Sequence, residues 1–158
     1  MSDDPAPADV DHRRLAVDAN NSAWELLLKD SLTDEERAEL LERAGASAHH
    51  WRHATDEGAV ERVRAAWLLA RAHTVAGHED AAAFHADRCH QLTDACTTAA
   101  DFDRAYALEA VARAAALRGD DADAAELRAA ARAVEIADDE DREIVEGDIE
   151  GGPWFGLG

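Results

Sequence analysis

The chain has 158 residues, which suffices for one domain with a substantial buried core. It carries 35 acidic residues against 16 basic ones, and a formal net charge of −19 argues against binding to nucleic acid or to an anionic membrane surface. No apolar run reaches the length of a membrane span, and the opening stretch MSDDPAPADV lacks the apolar core of a signal peptide. We therefore expect a cytoplasmic protein.

The acidic composition has two explanations. One is a hydrated surface adapted to high salt, where screening removes the self-repulsion of the chain, as in a halophilic protein. The other is a basic partner. The acidic residues are spread along the chain rather than massed in one tail, and this favours the salt-adapted explanation.

The composition predicts an all-α fold of about seven helices. Proline is scarce, Ala-rich amphipathic runs are long, and no stretch alternates polar and apolar residues as a strand would. We expect residues 1–8 to be a disordered N-terminus. Residues 9–148 are expected to form a single helical domain, and residues 149–158 a flexible apolar tail.

The first helix is expected to begin at Asp9 or Asp11 and to run to about Lys29. Two adjacent amides, Asn20 and Asn21, interrupt its pattern. Such side chains compete for backbone hydrogen bonds and are unfavourable in mid-helix. Either one of them has a function, or a turn splits this segment.

The second helix is expected to start at a capping box formed by Thr33 and Glu36, and to run to about His53. Further helices are expected on each side of Gly77, from Phe102 to Arg118, over about 122–137 and over about 139–148.

The stretch from Ala66 to Cys89 reads as a helix, a glycine stop and a second helix running back. Its pattern of small and large residues resembles one tetratricopeptide repeat (TPR), with residues at matching offsets: Leu69, Ala70, Gly77, Ala82 and Cys89.

The pattern recurs once Gly77 is aligned with Gly119. The other offsets then fall on Val111, Ala112, Ala124 and Ala131. The two glycines are 42 residues apart, compared with about 34 in the standard repeat. The resemblance extends over roughly residues 10–137. It implies antiparallel helical hairpins stacked as a short right-handed solenoid, but no known activity.

In TPR arrays the first helix of each hairpin lines a concave groove. The ligand-facing offsets of the family fall here on Asn21, Trp24, Arg64, Trp67, Arg71, Tyr106, Glu109 and Arg113. The resemblance implies a non-enzymatic scaffold or adaptor that binds a peptide segment or a chain terminus. Arginine would grip a carboxylate and tryptophan would supply apolar walls.

The same residues also have a structural interpretation. Glu109 and Arg113 have the spacing of a helix-stabilising pair, and Trp67 is large enough to be core. If the groove interpretation holds, replacing Arg71 and Arg113 together by alanine is expected to abolish partner capture and leave helicity intact.

Seven of the eight histidines lie between residues 49 and 90. Two pairs have the four-residue spacing of metal ligands on one helix face, so His49, His53, His85 and Cys89 are weak candidates. No complete metal motif is present, and we assign neither a metal site nor a cofactor.

No phosphate-binding loop or nucleophile elbow occurs in the sequence, so we assign no catalytic residue and favour a non-enzymatic protein. The alternative is a small enzyme or metal-binding protein. It would use polar residues in the helical cleft, namely His50, His85, Arg71, Glu109 and Arg113.

The tail places Trp154, Phe155 and Leu157 after two glycines. One interpretation is that its aromatic side chains fold back over the last hairpin of the same chain. The other is a homodimer, in which the Trp154-Phe155 tail enters the groove of a second copy and its carboxylate meets Arg71 or Arg113.

Overall fold

The computed structural model describes residues 9–158 and confirms the all-α prediction: over this range there are seven helices and no strand. The expected disorder of residues 1–8 lies outside the described residues. The helices, in chain order, are α1 (His12–Leu27), α2 (Asp34–Ala54), α3 (Val60–Ala76), α4 (Glu79–Ala95), α5 (Asp101–Arg118), α6 (Asp121–Arg132) and α7 (Asp139–Glu150).

The starts of the first two helices follow local capping rules. The carboxylate of Asp11 accepts from the Arg14 N–H at 3.0 Å and begins α1. The predicted box is confirmed, because the Thr33 hydroxyl accepts from the Glu36 N–H while the Glu36 carboxylate accepts from the Thr33 N–H. α1 continues through Asn20, so a turn splitting this segment is wrong.

Two glycines end α3 and α5 in the same way. Gly77 and Gly119 have φ of +78° and +82°, a left-handed conformation that strains any residue with a Cβ atom. The N–H of the residue after each glycine donates to a carbonyl five positions back in the helix. Each stop lets the next helix return along the one before it.

α6 is shorter than predicted, since it ends at Arg132.

Consecutive helices pack as pairs, α1 on α2, α3 on α4 and α5 on α6, and α2 and α4 also contact the pair that follows. α1 contacts α3 and α3 contacts α5, whereas within the described residues no Cα atoms of α2 and α4 lie within 8 Å of each other. The first helices of the three pairs therefore lie side by side on one face. Over residues 9–158, no helix has the length and apolarity needed to cross a membrane.

Alanine side chains allow the helices to pack closely against one another. One cluster joins α3, α4 and α5 almost entirely through buried methyl groups, from Ala70, Ala82, Ala86, Ala110 and Ala114. Small side chains at a helix contact allow the axes to approach toward about 8 Å. Close packing brings the side chains that leave α3 and α5 on the shared face within reach of each other.

Candidate functional site

Side chains of α1, α3 and α5, together with Cys89 of α4, surround a pocket of about 220 Å³ on the face that the first three of these helices share. We call it the aromatic pocket. Its lining residues are Asn20, Trp24, Val63, Arg64, Trp67, Cys89, Phe102, Asp103 and Tyr106. Four of the residues that sequence analysis placed in a groove, Trp24, Arg64, Trp67 and Tyr106, meet here.

Stacked rings form one wall of the aromatic pocket. Trp24 and Trp67 lie nearly parallel, 18° apart, with ring centroids separated by 5.4 Å. Tyr106 meets the edge of Trp67 at 5.6 Å and 67°. Both are favourable aromatic geometries. Because Trp67 contacts both neighbours and also forms a hydrogen bond, its plane is fixed before any ligand arrives.

An ion pair also lines the aromatic pocket. Arg64 donates from Nε and Nη2 to the two oxygens of Asp103, at 3.0 and 3.1 Å, and lies over the ring of Phe102. Asp103 is buried and also accepts from the Ala100 N–H at the start of α5. Arginine has five N–H donors, so the half-exposed Arg64 keeps donors for a ligand oxygen.

The amide in the aromatic pocket is Asn20, not Asn21. Asn21 is exposed, and its side-chain oxygen accepts from the Asn20 amide. The predicted offset was one residue too far along α1. A one-residue step turns a side chain by about 100° around a helix, which is enough to move it off the pocket.

The thiol in the aromatic pocket is buried. It belongs to Cys89, and burial raises its pKa to about 12. Its Sγ atom lies 3.6 Å from the carbonyl oxygen of Val63. Since the thiolate is the nucleophile and the metal ligand, this raised pKa disfavours both roles for Cys89.

A buried carboxylate lies behind Trp67. Glu109 accepts from Trp67 Nε1 at 2.9 Å and from Arg113 Nε, and Arg71 Nη1 lies 3.9 Å away. Glu109 and Arg113 are only 2% and 1% exposed. Burial, and after it the nearby Arg113, lower the pKa of Arg71 to about 10, so it stays charged at neutral pH. Trp67 therefore links this network to the aromatic pocket.

Both arginines also donate to backbone carbonyls of residues 148–153 of the same chain, while Arg71 Nη1 is buried without a hydrogen-bond partner among the described residues. Arg113 donates to the carbonyl oxygens of Asp148, Gly151 and Pro153 at 2.8 to 2.9 Å. Arg71 donates to the carbonyl oxygen of Gly152 at 3.1 Å. The last carbonyl groups of a helix have no hydrogen-bond donor within the helix, and at the end of α7 Arg113 is that donor.

The segment after α7, residues 151–158, folds back onto its own chain; we call it the C-terminal segment. Trp154 is 7% exposed and lies between the guanidinium groups of Arg113 and Arg128, at 4.1 and 4.4 Å. Its Nε1 atom donates to the carbonyl oxygen of Ile149 at 2.9 Å. The fold-back interpretation thus describes the position of Trp154 in this structure.

The residues proposed for one groove therefore occupy two places. Trp24, Arg64, Trp67 and Tyr106 line the open aromatic pocket. Of the other four, Asn21 is exposed on α1, and Arg71, Glu109 and Arg113 form the network under the C-terminal segment. Sequence analysis missed Phe102 and Asp103, although both lie one turn before Tyr106 on the same helix.

Seven of the eight histidines form two groups on other faces. His12, His49, His50 and His53 meet between α1 and α2, with ring centroids 4.6 to 6.4 Å apart. His73 stacks on His85 at 5.2 Å and contacts His78. His85 does not pair with Cys89, which faces the aromatic pocket. Within residues 9–158, no group of three or more His, Cys, Asp or Glu side chains is arranged to hold a metal ion.

Acid is expected to lower the stability of the fold by protonating His73 and His85. Burial lowers the pKa of both rings from 6.5, and the neighbouring imidazoles lower that of His73 further. Folding therefore favours the neutral imidazoles. Their contribution to the stability of the fold is present above about pH 6.5 and is lost as the pH falls through the folded pKa. Replacing both residues by glutamine should shrink the fall in Tm between about pH 7 and pH 5.

The matched control is His90→Gln, because that ring is exposed to solvent and lies beside Asp94. It should leave the acid dependence of Tm closer to that of the wild type. An equal effect of both variants would contradict the assignment.

The structure does not gather the residues of the enzyme alternative. His50 lies between α1 and α2, His85 lies on α4, and the other three belong to the network under the C-terminal segment. A catalytic acid and base must both reach one substrate, within about 3 Å of the reacting atoms. No observation on this chain brings these groups to one point.

Comparison with known proteins adds no identity. No protein-family model matches the chain, and neither the curated proteins nor the solved structures contain a significant match to it.

Proposed function

We propose that this chain is a non-enzymatic, TPR-like interaction module that holds a peptide segment of a partner protein on the face shared by α1, α3 and α5. The observation that carries the proposal is the aromatic pocket, recessed between three helices and walled by Trp24, Trp67 and Tyr106. Its size suits one large apolar or aromatic side chain of a ligand.

The packing supports the TPR-like part of the proposal. Helices pair in succession, Gly77 and Gly119 end equivalent helices, and the first helices of the pairs share one face. Stacked hairpins of this kind build an extended binding face from the first helix of each pair.

The chemistry of the same face suits a peptide. Arg71 and Arg113 already bind backbone carbonyls of the C-terminal segment. Arg64, at the rim of the aromatic pocket, has spare donors for a carbonyl or a carboxylate of a ligand. The ligand proposed here is an extended segment that inserts an aromatic side chain between Trp67 and Phe102 and places an oxygen on Arg64.

Selection of random displayed peptides on the wild-type protein tests this proposal. Selected peptides should share an aromatic or large apolar residue. Their affinity should fall by about tenfold or more in Trp24→Ala, since buried aromatic contacts dominate binding energies. Phe155→Ala removes an exposed ring outside the pocket and is the matched control. Failure to select any peptide, or equal losses in both variants, would contradict the proposal.

A further inference from the structure

About two thirds of the basic side chains of this acidic protein are paired with carboxylates. Eleven of the 16 form ion pairs within residues 9–158. The five without a carboxylate partner in this range are Arg52, Arg62, Arg88, Arg104 and Arg128. Three of these five, Arg52, Arg62 and Arg88, line a single pocket.

This pocket, which we call the arginine pocket, measures about 240 Å³ and lies between α2, α3 and α4. It is separate from the aromatic pocket. On α3 it is lined by Arg62 and Leu69, whereas the aromatic pocket is lined by Arg64 and Trp67. At about 100° per residue, these two pairs leave the helix on opposite sides.

One of the three arginines is fixed by the backbone. Arg62 donates to the carbonyl oxygens of Arg52 and Thr55 and to the Thr55 hydroxyl. It therefore ties the end of α2 to α3 and holds a positive charge in place. Arg52 and Arg88 are exposed, and within the described residues their guanidinium groups donate to no protein atom. Their donors are free for a ligand.

An exposed phenyl ring borders the same charges. Phe84 is 67% exposed, the highest value for an aromatic side chain in the described part of the chain. It meets the edge of the His85 ring at 5.2 Å, and Leu69 lies on the same pocket. Aromatic and arginine side chains are both enriched at protein–protein interfaces, so an exposed phenyl ring beside unpaired arginines suits a contact surface.

We infer that the arginine pocket binds an acidic segment of a partner protein, with carboxylates on Arg52 and Arg88 and an apolar side chain against Phe84 and Leu69. Charge complementarity identifies the occupant. A chain of net charge −19 repels acidic partners over its general surface, so such a partner is accepted only where cations predominate. Glu57 is the single carboxylate in the lining.

The test uses a synthetic peptide of repeated DEI units, labelled with fluorescein, and its uncharged counterpart of NQI units. Fluorescence anisotropy should show that the wild-type protein binds the acidic peptide, and that binding weakens as salt is raised. The double variant Arg52→Ala with Arg88→Ala should lose about tenfold in affinity or more, since it removes two charge-assisted contacts. Phe84→Ala should lose several-fold.

Arg104→Ala is the matched control, because Arg104 is exposed and unpaired but lies outside the pocket. It should leave the affinity unchanged. Equal weakening by Arg104→Ala, equal binding of the NQI peptide, or no binding by the wild type would overturn the inference. Trp24→Ala should bind the DEI peptide normally, which separates this surface from the aromatic pocket.

Discussion

Arg113→Ala is expected to lower the free energy of unfolding by about 3–5 kcal/mol, the range seen when one partner of a buried ion pair is removed. Arg113 is 1% exposed and donates to Glu109 and to three backbone carbonyls. Its loss leaves the Glu109 carboxylate with only the Trp67 indole and the more distant Arg71. Urea unfolding followed by circular dichroism measures the change.

Arg118→Ala is the matched control on the same helix. That side chain is 41% exposed and forms one ion pair with the exposed Asp80. Its removal should cost no more than about 1 kcal/mol. Adding Glu109→Gln to Arg113→Ala should recover part of the loss, because it removes the uncompensated buried charge. Equal effects of Arg113→Ala and Arg118→Ala would show that the buried network contributes little.

The loss of stability expected for Arg113→Ala bears on the double replacement of Arg71 and Arg113. Replacing Arg71 and Arg113 together was expected to abolish partner capture and leave helicity intact. In the structure both side chains hold the C-terminal segment. If that variant fails to capture a partner, the failure therefore has two explanations: a destabilised fold or a lost binding contact. Trp24→Ala is the cleaner probe of binding, since the Trp24 ring is partly exposed at the aromatic pocket.

The helices were predictable because their signals are local. A capping box needs only Thr33 and Glu36, and a left-handed stop needs only Gly77 or Gly119. The end of α6 was placed too late because its apolar pattern continues into Val134 and Ile136. Ile136 is buried, but it packs from the loop after α6. Burial alone does not distinguish a helix from a loop that returns to the core.

The site was less predictable because its contacts join distant parts of the chain. The partners of Arg113 in the C-terminal segment are carbonyl oxygens, which every residue carries and no sequence pattern marks. His12 joins His50 from 38 residues away, although sequence analysis grouped only the histidines after residue 49. The offsets of the repeat family placed Trp24 and Trp67 on the face where the structure brings them together, whereas the amide that lines this pocket is Asn20 and not Asn21. A helical pattern fixes a face more firmly than a register.

Trp154→Ala is expected to cost about 3–5 kcal/mol, as for other buried tryptophans. It removes an indole held between Arg113 and Arg128, together with its hydrogen bond to Ile149. Phe155→Ala is the matched control, because the neighbouring ring is 42% exposed. That change should cost under about 1 kcal/mol. If both variants unfold at the urea concentration of the wild type, the C-terminal segment does not stabilise the fold.

The same contact decides between a tail that stays on its own chain and one exchanged between two copies. A contact within one chain forms to the same extent at any protein concentration. We therefore expect the Tm of the wild type to be independent of protein concentration. Exchange would make Tm rise with concentration, because the docked tail would then depend on association. Light scattering should likewise give the same monomeric mass for the wild type and for Trp154→Ala. A dimeric wild type with a monomeric Trp154→Ala would place the tail on a second copy.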